Sequence, residues 1–384
     1  MKGQILDEIC AGGFSFPRLA ENHPELSALR EIPQNPAYHG EGDVFRHTEM
    51  VCEKLTSLCD WQQLALQDRA LLFLAAAYHD LGKAVCTRWE EGNWVSPRHT
   101  RIGEGCFRRK AFREAGSFGL TFWQRELVAG LIRSHGLPVW FFTKENPEYA
   151  LLQAAESIPL RFLYLLSAAD VAGRITVQSD ELSDRTGLFA DYAKELGVWD
   201  APFSFANPCT RFRYYQKRDL PMCACFYDDT EFDVILLSGL PLSGKDTWIA
   251  NYGTGRPVVS LDEIREEMKL PPTRDTGRVV QRAMEQARSY LRRKESFIWN
   301  ATNLIRETRQ KLVRLFAGYG ARVHIVYMET PYEELLRRNQ IRERQIPEHV
   351  LETMIRKLEL PAPWEAWDVT YEDGMSIHNR KGSF

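Results

Sequence analysis

An apolar run, Asp233-Val-Ile-Leu-Leu-Ser-Gly239, passes directly into Leu-Pro-Leu-Ser-Gly244-Lys245-Asp246-Thr247 and then into a helical stretch. Few patterns restrict a chain so tightly. Glycines at the first and sixth positions let backbone N–H groups turn inward around an anion. The helix that follows adds positive potential at its N-terminus, and the lysine reaches the terminal phosphates. A strand, a glycine loop and a helix in that order predict an α/β domain that binds a nucleoside triphosphate. The contacts fall on Gly239, Ser243, Gly244, Lys245, Asp246 and Thr247. ATP or another NTP would enter with Mg²⁺. Asp246 stands where a serine or threonine is usual, with Thr247 one place later. Either Asp246 meets Mg²⁺, directly or through water, or Thr247 helps to hold a phosphate.

The pattern continues downstream. Phe232–Leu237, Pro257–Ser260, Phe297–Asn300 and Val323–Met328 read as short buried strands, separated by helices such as Arg278–Arg293 and Glu307–Tyr319. Alternation of strand and helix predicts a mainly parallel sheet covered on both faces. The first half reads differently. Asp43–Leu58 sets Val44, His47, Val51 and Leu55 at helical spacing, and Gln67–Leu81 is strongly apolar up to Gly82. Phe122–Arg133, Ile158–Ala172 and Leu188–Leu196 repeat the helical period, with almost no alternating pattern, which predicts an all-α bundle. A stretch rich in Pro, Cys and charge lies between. The organisation expected is a helical domain over 1–200, a linker over 201–230 and an α/β domain over 231–384.

Charge and cysteine usage narrow the setting. With 49 basic and 52 acidic residues the net charge is −3, which excludes a globally basic nucleic-acid binder but leaves room for a local patch. Eight dispersed cysteines lack zinc-ribbon spacing, and no apolar stretch approaches the ~20 residues of a membrane span. A reducing, cytoplasmic protein with no membrane partner is expected.

The first half carries a second constellation. His79 and Asp80 are adjacent at the end of an apolar helix, in AAAYHDLGK; His47 lies upstream in DVFRHTEM. His99 in SPRHTRIG, His135 in IRSHG and Asp170 in LLSAADVAG complete the order H…HD…H…H…D. Burying such a group unpaired costs about 1–3 kcal/mol, so polar residues on apolar helices call for a shared partner, and a cation is the simplest. Neutral imidazoles with carboxylates suit divalent transition ions. Lys83, Arg46 and Arg101 read either as phosphate contacts or as solvated charges. His23 and His39 are given no role.

This order resembles the HD superfamily of metal-dependent phosphohydrolases over most of residues 40–175. The resemblance implies one or two divalent ions, Mn, Ni, Co, Fe or Zn. His47, His79, Asp80 and Asp170 would hold one; Asp80, His99 and His135 would hold the other, with Asp80 bridging and catalytic.

In the α/β half, VVSLDEIR sets Asp262 just after a strand with Arg265 a turn later, FIWNATN ends a strand in a polar loop, and LLRRNQIRERQI is dense in arginine. A carboxylate at that place can take the proton of an attacking hydroxyl. From Arg288 to Arg322 nine basic residues face two acidic ones, a bias compatible with tracking phosphates. Residues 233–362 resemble the kinase domain of 5′-hydroxyl polynucleotide kinases. That likeness implies Lys245 on the donor phosphates, Asp262 as general base and Arg265 on the acceptor strand. Arg338 and Arg342 of a lid would also reach the donor. Both halves in one chain resemble the HD-Pnk type of RNA end-healing enzyme. Such an enzyme would hydrolyse 2′-phosphate or 2′,3′-cyclic phosphate ends and phosphorylate 5′-OH ends of RNA or DNA. Two other readings stay open: a metabolite phosphohydrolase fused to a small-molecule kinase, and a non-catalytic NTP-binding regulator.

Overall fold

In the computed structural model the described residues are 4–217, 219–253, 255–271, 275–373 and 377–379. The chain divides into two compact units, Met1–Phe203 and Ser204–Ser383.

The first unit is helical. Asp43 opens the helix Val44–Ser57 by accepting the Arg46 N–H at 2.8 Å, which satisfies one of the free donors of the first turn. That helix buries Val44, His47, Val51 and Leu55, one stripe at 3–4-residue spacing. The helix Leu66–Tyr78 is buried continuously from Ala70 to Tyr78 because neighbours cover it on all sides. Val44–Ser57, Phe122–Ser134 and Leu160–Ala172 all pack on it. A reciprocal Thr121–Gln124 box starts Phe122–Ser134. The region is not purely helical: Arg88–Glu90 and Asn93–Val95 form an antiparallel hairpin. Both strands are too short and too exposed to imprint a burial period on the sequence. Residues 204–230, expected to be part of a linker, contain the helix Pro208–Gln216. Its Phe212 stacks on Trp367 of the second unit at 3.4 Å.

The second unit is built on six strands: β1 (Phe232–Gly239), β2 (Val258–Ser260), β3 (Phe297–Asn300), β4 (Ala321–Met328), β5 (Asp368–Glu372) and β6 (Ile377–Asn379). Their order across the sheet is β2-β3-β1-β4-β5-β6, parallel throughout except for the antiparallel β6. Central strands of such a sheet are covered on both faces, hence the unbroken apolar runs. Leu237, Ile298 and Val326 form one core patch, and each such side chain contributes about 1.5–3 kcal/mol by leaving water. The polar segments that follow β1, β2, β3 and β4 all leave from carboxyl ends, where open α/β sheets bind ligands. No helix among the described residues is long and apolar enough to cross a membrane.

Candidate functional site

Two groups of polar side chains stand out, one in each unit. In the helical unit, His79 and Asp80 follow the last turn of Leu66–Tyr78. His99 opens the helix His99–Arg113, His135 caps the end of Phe122–Ser134, and Asp170 lies in the last turn of Leu160–Ala172. A methyl group on Gly82 would collide with the His99 carbonyl, so the glycine allows the doublet turn and the His99 helix to approach.

The six residues singled out from sequence converge. Asp80 Oδ2 is 3.3 Å from His79 Nε2 and 3.7 Å from His47 Nε2; Asp80 Oδ1 is 3.4 Å from His99 Nε2 and 3.9 Å from His135 Nε2. Asp170 Oδ1 is 3.1 Å from His47 Nε2. Thus the two oxygens of one carboxylate face two different imidazole pairs. His79, His99 and His135 each set Nδ1 against the carbonyl three residues upstream, at 2.7, 3.0 and 2.9 Å, which turns Nε2 inward. His79 Nε2 and Asp80 Oδ1 are buried without a hydrogen-bond partner. Unsatisfied lone pairs of nitrogen and oxygen facing one another in a buried nest suit a divalent ion of the transition series.

Electrostatics agrees with that donor set. Burial would raise Asp80, but Lys83 and His79 hold it well below the usual carboxylate range. Asp170 is likewise held low against burial, chiefly by Arg174 and His47. Burial, and then His79, push His135 down to about 3, and burial lowers His99, so both stay neutral as ligands must. His79 is the exception to this trend: burial lowers it, but Asp80 outweighs burial and raises it, so an arriving ion would have to displace its proton.

Lys83 is no surface charge: it is buried, 2.7 Å from Asp80 Oδ2 and bonded to Gln34 Oε1. Arg46 is exposed and pairs with Glu49, and Arg101 is also exposed. His23 belongs to a separate network with Glu8 and Glu25. Sequence reasoning missed three members. Arg174 clamps Asp170 with two nitrogens, and His39 and Glu41 close over His47. His39, given no role above, therefore lines the nest; its signal was only a His-x-Glu in an aperiodic loop.

In the second unit the glycine loop joins β1 to the helix Lys245–Tyr252. Gly239 has φ 149°, and a Cβ there would strike the Met328 carbonyl; Gly244 has φ 95° and caps the helix. Lys245 Nζ folds back over the loop, donating to Leu240 O at 2.8 Å and Gly239 O at 3.3 Å, with Ser243 Oγ at 3.5 Å. Burial pushes its ammonium down to about 8, opposed by Asp246 and Asp262. Asp246 and Thr247 are exposed at the helix start, and Asn300 Nδ2 donates to Asp246 Oδ1 at 2.8 Å. Asp262 is exposed in the first turn after β2, where Ser260 caps the Glu263 N–H. Arg265 donates to the Pro271 carbonyl and to Thr276. Arg338 spans Glu334 and the Leu242 carbonyl, the latter at 2.9 Å, and so touches the loop directly. Arg342 is exposed at the end of the helix Tyr332–Ile341.

The basic run is not the free patch its composition implied. Arg293, Lys294, Arg306, Arg309, Lys311 and Arg322 all pair with carboxylates, and Arg309 is fully buried against Glu365.

Residues 234–361 match the family model described as an AAA domain. The second unit is a P-loop, kinase-like domain. Over 150 residues, 35% of its length, the chain is 27% identical to the L-seryl-tRNA(Sec) kinase of Methanococcus maripaludis. Over 160 residues, 41% of its length, it is 32% identical to the multifunctional CCA protein of Hahella chejuensis. It covers 56% and 35% of the length of those two relatives. A gluconokinase structure from Sinorhizobium meliloti overlays 38% of the chain and 83% of its own, with TM-score 0.27 and 19% identity. The family match and the one relative that is a kinase by name support a phosphotransferase that uses NTP with Mg²⁺.

Proposed function

We propose that the chain heals broken nucleic-acid ends. The helical unit would hydrolyse 2′-phosphate or 2′,3′-cyclic phosphate, and the P-loop unit would phosphorylate 5′-OH ends. The observation that carries the reading is Asp80: its two oxygens address two imidazole pairs, as a carboxylate shared between two ions would. The likeness of both halves to the HD-Pnk type supplies the substrate class, and one relative is by name a kinase of L-seryl-tRNA(Sec).

At the helical site His47, His79, Asp80 and Asp170 are assigned to one ion and Asp80, His99 and His135 to the other. When bound, divalent ions supply Lewis-acid activation of water and phosphoryl oxygens. Lys83 holds Asp80 in place and adds positive charge beside the phosphate. At the kinase site Lys245 and the loop amides hold the donor phosphates, and Asp246, held by Asn300, would be the residue that holds Mg²⁺. Asp262 accepts the proton as the acceptor oxygen bonds to the γ-phosphorus and the β–γ bridging P–O bond breaks. Arg265 is assigned to the acceptor strand, and Arg338 and Arg342 to the charge on the transferring group.

A small acceptor is the second reading, favoured by the neutralised basic run. The test is incubation with NTP and divalent metal of an oligonucleotide bearing 5′-OH and 2′,3′-cyclic phosphate ends, beside a panel of nucleosides and sugars. Conversion of both termini is expected. Phosphate transfer to the panel alone overturns the polynucleotide reading.

A further inference from the structure

His47 differs from the other three imidazoles of the nest. His79 and His135 sit just past helix C-termini, where a carbonyl three residues upstream is left free by the helical ladder and takes Nδ1, and His99 opens a helix and sets Nδ1 on the Ser96 carbonyl in the loop before it. His47 lies inside the helix Val44–Ser57, and its nearby carbonyls are already engaged. Val44 O accepts the Thr48 hydroxyl, and Asp43 O accepts both the His47 N–H and the Gln34 amide. No helical carbonyl serves it, and its Nδ1 is buried with no hydrogen bond formed. Glu41 Oε1, from another segment, lies 2.8 Å from His47 Nδ1, and the same oxygen is hydrogen-bonded to His39 Nδ1 at 2.8 Å. The other oxygen accepts the Ile175 N–H at 2.8 Å, just beyond the helix that carries Asp170. Gly40 N donates to Ile175 O at 2.9 Å, so the 39–41 loop is tied to that segment twice. The Glu41 side chain is 1% exposed.

We infer that Glu41 is a positioning residue: its carboxylate fixes the proton on His47 Nδ1, points Nε2 at the ion, and strengthens that nitrogen as a donor. His39 shares the carboxylate and holds it against rotation. The inference rests on the metal reading above. It extends that reading by giving one imidazole of the site a carboxylate partner where the others use carbonyls. Such outer partners, when removed, typically cost about 10- to 100-fold in metal affinity.

The experiment titrates Co²⁺ alone, against a competing chelator, into the full chain and into Glu41→Gln, reading metal affinity and the visible absorption of the bound ion. Loss of about 10- to 100-fold in affinity with a shifted absorption band is expected, while the metal-free variant unfolds at the parental temperature. Parental affinity and spectrum in folded Glu41→Gln overturn the inference. Should that variant not fold, Glu41→Asp, with its carboxylate one methylene short, is read in the same way. A parent chain that fails to bind Co²⁺ overturns the metal reading itself, an outcome distinct from a parent that binds and a variant that binds equally well.

Discussion

Asn300, the last residue of β3, holds Asp246, the residue after the loop lysine, by an amide-to-carboxylate hydrogen bond of 2.8 Å. The bond links the end of one strand to the first turn of the helix that follows another. It sets the one carboxylate in the place where a hydroxyl is usual.

If Asp246 is the Mg²⁺ contact, freeing it disorders the ion. Asn300→Ala is expected to lower phosphate transfer about tenfold and to raise the Mg²⁺ concentration needed for half-maximal rate. Steady-state assays across Mg²⁺ concentration check this. An unchanged Mg²⁺ dependence would assign the ion to Thr247 instead.

The two proposed sites share no residue. Asp262→Asn is expected to reduce phosphate transfer by about 10²–10⁴-fold, the worth of a general base, while leaving metal-dependent hydrolysis at parental rate. Asp80→Ala should do the reverse and lower metal content. End-labelling and phosphate-release assays on the same preparations decide it; equal loss of both activities in a folded variant would refute independent sites.

Lys245 is pushed down to about 8 by burial. A depressed lysine is neutral, and therefore nucleophilic, above its own pKa, so the labelling rate should rise through about pH 8. An ordinary lysine near ~10.4 would still be almost fully charged there. ATP with Mg²⁺ brings negative charge to the ammonium and should shift the midpoint upward. Mass spectrometry of the Lys245 peptide after amine-reagent labelling across pH gives the curve. A midpoint above 10 in the free protein contradicts the assignment.

Arg309 and Glu365 are both buried, with Arg309 Nε and Nη2 on the two Glu365 oxygens at 2.7 and 2.9 Å. Removing one partner strands the other charge, which costs about 3–5 kcal/mol. Glu365→Ala should lower the urea midpoint of the second unit accordingly, whereas Lys311→Ala, an exposed pair with Glu307, should shift it by less than about 0.5 kcal/mol.

The elements that carry chemistry were legible because each sits on a long, regular pattern. The Val44–Ser57 stripe, the apolar Leu66–Tyr78 run and the β1–loop–helix order announce themselves through burial period and turn residues. The hairpin Arg88–Val95 and the strands β5 and β6 did not. They are three to five residues long, and β5 follows a Pro- and Trp-rich stretch that hides its alternation. The six residues that converge around Asp80 could be named from order and context. Glu41 and His39 could not, because they meet His47 across a loop that only tertiary packing closes; Arg174, four residues after Asp170, was within reach of helical spacing and was passed over. Charge counting misled in one place: the excess of cations between Arg288 and Arg322 is largely spent on carboxylates, several of them distant in sequence.

Every polar segment of the kinase-like face departs from the same rim of the sheet, the end at which β1, β2, β3 and β4 finish. An eight-residue strand such as β1 spans roughly 26 Å, so the opposite rim, at Phe232, Phe297 and Ala321, stands far from the nucleotide loop. Demands on reactivity and demands on durability therefore fall on different ends of the same strands. Substitutions that harden the far rim can accumulate without disturbing phosphate chemistry, and the near rim is free to be tuned for its acceptor.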